Sequence, residues 1–431
     1  MTLTLAACTG TAGDSEESEA PAEEVTLTLA YSGDAYPDSL LAQYQEDNPH
    51  VTLVREELDP DAYGEALAQQ LTDDSGGAQV WVIDADAIVD AVAQSDEFVN
   101  LRDLGADQYQ EDYLEWAWDG AATADGSTVI GLGANVGGLA LCYRQDLFDE
   151  AGLPTNRDAV NVAIGDNWEH FIALGQEYTV ATGRSFVDNA THLHAPLLTQ
   201  AQAQYYSDSA ELDMEATKPA FDTAIEVIGA GISANMARDS DEWNAGVTNG
   251  DFAALACSAT MIDHLEQQAS TEDFTGQWDI ADLPGPGGNQ GGSWYAIPDQ
   301  FDAGTTDEAY RFIEWITRPA QQLAIAEEYG HVPSQPALYG TPAVQDQSDA
   351  FFNDAPTGLI FAASASAVPG AAYHSPQHEA VREAVETILT EVQLGTILMA
   401  RAWEAAVEAA EAADVAADEA GADAPTATPS P

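Results

Sequence analysis

Strand patterns and helix patterns alternate from Val25 onward, and this alternation limits the fold more than any other feature. The strand-like segments are "VTLTLAY", "VTLVREE" and "AQVWVIDAD". Between them, "SLLAQYQEDNP" and "DAYGEALAQQLTDD" have helical spacing, and Pro49 ends the first of these helices. Short links between alternating strands and helices are typical of βαβ units, so the sequence predicts an α/β fold with a parallel sheet covered by helices.

Two glycine-rich segments interrupt this pattern, "GLGANVGG" near residue 135 and "PGPGGNQGG" near residue 291. Glycine frees the backbone and cannot pack a core, so each segment is typical of a pivot or of a close backbone approach. A chain of 431 residues is long enough for two domains. We therefore predict that the chain crosses between two lobes at these segments. The predicted lobe 1 comprises residues 25–135 plus 292–345, and the predicted lobe 2 comprises residues 136–291 plus 346–413.

The charge balance is strongly acidic, with 74 Asp and Glu against 11 Lys and Arg and a formal net charge of −63. This balance argues against binding to nucleic acid or to an anionic membrane surface through a basic patch. Salt screens the resulting repulsion over about 10 Å at 0.1 M, so the charge favours adaptation to high salt. An acid-biased genome is the alternative interpretation. On the first interpretation, the net charge indicates the solvent conditions to which the protein is adapted, and on neither does it identify a ligand.

The N-terminal region has features of an exported, anchored protein. Cys8 follows Leu5-Ala6-Ala7, which resembles the lipobox of bacterial lipoproteins, where the cysteine carries the lipid. The match departs from the pattern because only seven residues precede Cys8 and none of them is basic. Residues 1–24 then read as a lipobox and a disordered acidic tether, and residues 414–431 as a disordered acidic tail.

The other two cysteines, Cys142 and Cys257, end the apolar stretches "GGLALC" and "FAALAC". In an oxidising compartment they could pair as a disulfide. Two buried free thiols are an equally good interpretation, and the sequence leaves both open.

The sequence contains none of the catalytic constellations that we sought. It has no Gly-x-Ser-x-Gly elbow, Walker loop or His-Glu-x-x-His motif, and both glycine segments fail the dinucleotide-binding pattern. His192 and His194 lack a nearby third ligand, so we predict surface or packing roles for them and no metal site. We expect no catalytic residue and no cofactor. Carboxylates are nevertheless numerous enough that counting does not exclude a glycosidase pair.

Six further segments stand in this order along the chain: "LALCYRQDLFDEAGLP", "NWEHFIALGQEY", "WNAGVTNGDFAALACSATM", "GGSWYAIP", "YGHVPSQPALY" and "HSPQHEAVREAVETIL". Together they resemble the extracellular solute-binding proteins of ABC importers, in the large family that includes maltose- and oligosaccharide-binding proteins. The resemblance extends from Val25 to about Ala413. In detail it is closest to actinobacterial cellobiose- and cello-oligosaccharide-binding lipoproteins.

This resemblance implies a two-lobe periplasmic-binding-protein fold with a hinge and an interdomain ligand cleft. It also implies a monomer outside the cell, anchored to the outer face of the membrane only through its lipid, that captures a neutral oligosaccharide and delivers it to the transmembrane subunits of an ABC permease. Two alternatives stay open. One is a binding protein for a non-sugar solute such as a cationic osmolyte, and the other is a glycan-active enzyme.

Candidate hydrogen-bonding residues follow from the rule that open α/β sheets bind ligands at the carboxyl ends of their strands. Asp34 and Tyr36 follow the first strand, Asp84 and Asp86 follow the third, and Asn135 lies at the first crossing. Carboxylate and amide groups suit the polar rim of a pyranose. Turn formation and helix capping are the competing explanations for Asp34 and Asp86.

Candidate stacking residues would cover the apolar faces of a sugar ring. They are Trp243, Trp294, Tyr295, Tyr373 and His374. A core position is the competing explanation for Trp243. Relatives tend to carry an aromatic residue where this chain reads "SATM" at 258–261, so the identity of the sugar is open.

Overall fold

The structure, a computed structural model, describes residues 24–422 except 74–75, 86, 202–204, 207–210, 239, 270–273, 275, 370–374 and 376. The strands are β1 (Val25–Tyr31), β2 (Val51–Glu57), β3 (Val80–Asp84), β4 (Gly131–Arg144), β5 (Ala254–Ser258), β6 (Trp278–Asp282), β7 (Asn289–Ala296) and β8 (Val332–Pro333).

The helices of the N-terminal half are α1 (Asp38–Asp47), α2 (Pro60–Thr72), α3 (Ile88–Ala93), α4 (Glu115–Asp119), α5 (Gln145–Ala151), α6 (Arg157–Ile164), α7 (Trp168–Thr182) and α8 (His194–Thr199). Those of the C-terminal half are α9 (Met214–Ala230), α10 (Asp241–Asn249), α11 (Ala259–Gln268), α12 (Ala303–Ile316), α13 (Pro319–Tyr329), α14 (Pro342–Gln345), α15 (Thr357–Ser366), α16 (His378–Gln393) and α17 (Met399–Ala422).

The sheet has the strand order β2-β1-β3-β7-β4-β5, with β6 and β8 also paired to β4. β1 is parallel to both β2 and β3, whereas β7 is antiparallel to its neighbours β3 and β4. β4 is the long central strand: its first residues pair with β7, and residues 139–144 pair with β5 and β6. The two glycine-rich segments therefore meet as the β4–β7 pair that joins the two parts of the sheet.

Both parts of the sheet are covered on two faces. Along β3, Val80 and Val82 pack into one apolar cluster, while Trp81 and Ile83 pack into another. Alternate side chains of a strand point to opposite faces, so both faces of this sheet are buried. The same alternation divides the C-terminal half of β4 between two further clusters.

The cysteine pair lies in the second part of the sheet. Cys142 of β4 and Cys257 of β5 form a disulfide, with their Cα atoms 5.9 Å apart. Of the two states that the sequence left open, the structure has the bridged one. Cys8 lies outside the described residues.

The last helix extends past the predicted start of the C-terminal tail at residue 414, because α17 continues to Ala422. The sequence there is rich in Ala and Glu, which favour helix. Residues 423–431 lie outside the described range. Among the described residues, no helix combines the length and apolarity required to cross a membrane.

Candidate functional site

Three of the predicted polar residues lie at the same edge of the lobe 1 sheet. Asp84 at the end of β3 pairs in register with Ser293 of β7, and Ser293 pairs in turn with Asn135 of β4. Asp34 follows β1, which is parallel to β3. The carboxyl ends of parallel strands share an edge of the sheet, so Asp34, Asp84 and Asn135 lie on one rim, as the sequence predicts.

The rim also contains a histidine. The side-chain amide of Asn135 lies 3.3 Å from Nδ1 of His331, which directly precedes β8. Burial lowers the pKa of His331, and the nearby negative charge of Asp34 only partly opposes this. The imidazole is therefore neutral near pH 7, with one ring nitrogen as donor and the other as acceptor.

Lobe 2 presents a comparable edge. Val187 forms parallel bridges with Ser233 and with Ala254 of β5. The far end of β5, Ser258, pairs with Leu139. Leu139 directly follows Gly138, the last residue of β4 that pairs with β7, and lies three residues beyond Val136, which pairs with β8. The carboxyl ends of these lobe 2 segments therefore point toward lobe 1, and Asp188 lies at one of them.

A cavity of about 560 Å³ lies between elements from both lobes. It is lined by Ala259, Ile262 and Asp263 of α11, by Tyr329, Gly330 and His331 after α13, and by residues of α14, α15 and the segment 346–349. Its size falls within the range of about 300–1,000 Å³ that is usual for small-molecule sites.

Carboxylates from both lobes approach one another at this cavity. Burial raises the pKa of Asp263, and the negative charges of Asp349 and Asp34 raise it further. At another point of the lobe junction, burial raises the pKa of Asp90 in α3, and Glu379 in α16 adds to this. The two faces of the cleft are thus close enough for charges on one lobe to act on the other.

Three of the five predicted stacking residues, Trp243, Trp294 and Tyr295, lie inside the lobes. Trp294 is 4% exposed, its indole N–H donates to the Ala117 carbonyl oxygen at 2.6 Å, and its ring packs against Gly120 and Gly131. Tyr295 is 2% exposed in the lobe 1 core. Ligand contact through these two rings stays a prediction.

Tyr36 and Trp243 are also buried. The rings of Tyr36 and Tyr295 have centroids 5.8 Å apart, and burial raises the pKa of Tyr36. The indole N–H of Trp243 donates to Asp188 Oδ2 at 3.0 Å. Asp84 caps the start of the next helical segment by accepting from the backbone N–H of Ala87.

Three predicted residues, Asp86, Tyr373 and His374, lie outside the described part of the chain. Their roles stay predictions. Within the residues that the structure describes, no group of three or more His, Cys, Asp or Glu residues could hold a metal ion.

Sequence reasoning missed four polar residues: Asp263 and His331, which line the cavity, and Asp188 and Arg238 at the lobe 2 edge. Asp188 is the last residue of the strand-like "SFVD", so applying the carboxyl-end rule to lobe 2 would have found it. Arg238 and Asp263 have no such signal, because only the tertiary fold brings them to this edge.

Comparisons with known proteins agree with this geometry. Residues 39–353 match the family model described as a bacterial extracellular solute-binding protein. A crystal structure of an extracellular solute-binding protein of family 1 is 30% identical, covers 90% of this chain and 100% of its own, and has a TM-score of 0.84. No curated protein gives a significant sequence match.

Two more distant structures share the fold. The sugar-binding protein MalE from Xanthomonas citri is 17% identical, with a TM-score of 0.73 over 92% of this chain and 98% of its own. The cyclic alpha-maltosyl-1,6-maltose binding protein from Arthrobacter globiformis is 16% identical, with a TM-score of 0.72 over 90% of this chain and 99% of its own. The two-lobe α/β fold expected from the sequence is confirmed.

Proposed function

The chain belongs to the bacterial extracellular solute-binding proteins, and we propose that it is the substrate-binding component of an ABC importer that captures a neutral oligosaccharide. The ligand is held between the two lobes, which close around it. The protein then delivers the sugar to a membrane permease and performs no covalent chemistry.

The observation that carries this proposal is the pair of facing polar edges. Asp34, Asp84 and Asn135 line the lobe 1 edge, and Asp188 lies at the lobe 2 edge. A sugar hydroxyl is both donor and acceptor, so it suits a cleft that combines carboxylates, an amide and a neutral imidazole. The two more distant structural neighbours are sugar-binding and maltosyl-maltose-binding proteins, which supports the same class of ligand here.

The finer features of the proposal come from the sequence resemblance. They are a cello-oligosaccharide as ligand, a lipid anchor on Cys8 and a monomeric state. Wild-type protein in high salt should elute as a monomer in size-exclusion chromatography coupled to light scattering, and mass spectrometry of membrane-extracted protein should find a diacylglyceryl group on Cys8.

A cationic solute is the second candidate, and one observation favours it. Asp263 and Asp349 both line the cavity. Burial is the main cause of the raised pKa of Asp263, and the negative charges of Asp349 and Asp34 add to it. A quaternary ammonium group placed there would relieve the repulsion between these carboxylates and could contact aromatic faces such as Tyr329.

A thermal-shift screen in high salt tests the proposal. The probes are cello-, xylo-, malto- and manno-oligosaccharides beside betaine, amino acids and short peptides. A ligand at 100 times its Kd adds about 2.7 kcal/mol to the folded state, which raises the Tm by several degrees for a chain of this size. We expect a response to one sugar series. A response to betaine alone would contradict the sugar proposal and support the cationic-solute candidate. Sugar cleavage products after prolonged incubation would indicate an enzyme.

A further inference from the structure

A buried carboxylate lies at the carboxyl edge of lobe 2. Asp188 has no solvent exposure. Its Oδ2 accepts hydrogen bonds from His192 Nδ1 at 2.9 Å, from Trp243 Nε1 at 3.0 Å and from Arg238 Nη2 at 3.4 Å. Its Oδ1 has no partner among the described residues. Three donors from three separate segments of the chain therefore converge on one carboxylate oxygen.

The donors keep this carboxylate ionised. Burial by itself raises the pKa of Asp188, but the hydrogen bonds from His192 and Trp243 and the charge of Arg238 lower it to about 2. A buried charge without such partners would be strongly destabilising. Asp188 therefore carries a buried negative charge, and its hydrogen bonds hold the side chains of His192, Trp243 and Arg238 in fixed orientations.

Two of the three side chains that donate to Asp188 are partly exposed to solvent. The side chains of His192 and Arg238 are 20% and 17% exposed, whereas Trp243 is fully buried. An ionised carboxylate can only accept, so His192 Nδ1 carries the proton and Nε2 is left for a second partner. The Nε of Arg238 has no partner among the described residues.

The contacts of Arg238 and Asp188 place both residues along the edge of lobe 2 that points toward lobe 1. Arg238 Nη2 lies 3.4 Å from the carbonyl oxygen of Ala256, near the end of β5 that points toward lobe 1. The backbone N–H of Met236 donates to the carbonyl oxygen of Asp188, so the segment that carries Arg238 follows the same edge.

We propose that Asp188 is a positioning residue that holds His192 and Arg238 as ligand-contacting groups on the lobe 2 wall of the cleft. The inference rests on the proposed function and deepens it. Arg238 Nη2 already donates to Asp188 and to the Ala256 carbonyl oxygen, and Nε is buried. The other terminal nitrogen, Nη1, is therefore the guanidinium donor left for one ligand oxygen, and the imidazole adds a second hydrogen bond. The pair therefore selects a neutral ligand with neighbouring hydroxyl groups, and the positive charge of Arg238 disfavours a cation at this wall.

Variants of the exposed partners test the inference. The probe is the oligosaccharide series that stabilises wild-type protein most in the screen, and affinity is measured by calorimetry in high salt. We expect Arg238→Ala to weaken binding at least tenfold, His192→Ala to weaken it several-fold, and Arg238→Lys to recover part of the loss. Arg184→Ala is the matched control, because Arg184 pairs with Glu150 on an exposed surface of the same lobe; its affinity should stay within twofold of wild type.

Asp188→Asn separates positioning from simple packing. The amide keeps the shape but removes the charge and replaces one acceptor oxygen by a donor. We expect weaker sugar binding in protein that remains folded, together with a changed Trp243 fluorescence spectrum because the indole partner changes. If this variant does not fold, the affinities of the Arg238 and His192 variants test the inference without it.

The outcomes distinguish the inference from the function on which it rests. If wild-type protein binds a sugar and both Arg238→Ala and His192→Ala bind it within twofold of wild type, the inference is wrong and the proposed function stands. If wild-type protein binds no sugar of any series, the proposed function is wrong and the inference is wrong with it.

Discussion

At the scale of single residues, the same side-chain type has different roles because its surroundings differ. Asp84 is exposed and caps a turn, whereas Asp188 is fully buried and binds three donors. Trp294 lies in the lobe 1 core, where its indole N–H has a backbone partner. An Asp at the end of a strand is visible in the sequence, but whether it is a cap or an anchor depends on distant neighbours.

Trp294 gives the prediction at this scale. We expect Trp294→Phe to lower the free energy of unfolding by about 1–3 kcal/mol, because the buried Ala117 carbonyl loses its indole donor. Urea unfolding in high salt measures the change. The control is Trp315→Phe, since Trp315 is similarly buried but has no indole hydrogen bond to the described residues; an equal loss in both variants would contradict the explanation.

The same Trp294→Phe protein tests the predicted ligand contact. A loss of sugar affinity above tenfold in folded protein would support stacking, and an unchanged affinity would limit Trp294 to the core.

At the scale of elements, the β4–β7 pair joins the lobes. Backbone conformation and close contacts explain why this pair contains glycine. Gly291 and Gly292 have φ values of 100° and 102°, in the region that favours glycine. A Cβ on Gly292 would lie 2.9 Å from the Asn135 carbonyl oxygen. The register of β4 against β7 shifts at two places, between Gly133 and Asn135 and between Val136 and Gly138. The glycines therefore allow an irregular, close strand pairing at the lobe junction.

Substitution at this junction gives the second prediction. We expect Gly292→Ala to cost roughly 1–3 kcal/mol of folding stability through backbone strain and close contact. Gly64→Ala is the control, because Gly64 lies within α2 and an added Cβ meets nothing within 4 Å; it should be neutral or stabilise by up to about 1 kcal/mol. Chemical denaturation compares them, and a Gly292 variant as stable as the Gly64 variant would exclude strain at this site.

At the scale of the whole molecule, we expect charge to dominate the dependence of stability on solvent. The net charge of −63 repels itself across the surface, and several carboxylates have raised pKa values. Burial is the largest cause for Asp90, Asp119, Asp263 and Asp282, and neighbouring carboxylates add to it. Such groups destabilise the folded state while they are ionised.

Salt and pH should therefore both change the Tm. We expect the Tm to rise by at least about 5 °C between 0.1 M and 1 M NaCl, which corresponds to roughly 4–5 kcal/mol for a chain of 431 residues. An equal osmolality of sucrose, which does not screen charge, is the control. If sucrose raises the Tm as much as NaCl does, charge repulsion is not the cause.

The sign of the pH effect follows from the direction of the shifts. A carboxylate with a raised folded pKa takes up a proton more readily in the folded state, so its destabilising effect should be lost as pH falls from neutral toward the ordinary Asp pKa of about 4 at low salt. Asp188 acts in the opposite direction, because its pKa is lowered to about 2. Its contribution is present above the ordinary Asp pKa of about 4 and is lost as pH falls toward 2. Calorimetric scans across this range should show a maximum in acid, and a Tm that falls steadily from pH 7 to 5 would contradict the assignment.

The sequence by itself determined the α/β class and the two-lobe fold, and it predicted two crossings and a rim that contains Asp34, Asp84 and Asn135. These features depend on local periodicity and on the rule that parallel strands end at a common edge. Only the tertiary structure decided that Trp294 and Tyr295 lie in a core, that Cys142 and Cys257 are joined, and that His192, Arg238 and Trp243 converge on Asp188. These outcomes depend on strand register and on contacts between residues far apart in the chain, which no local pattern encodes.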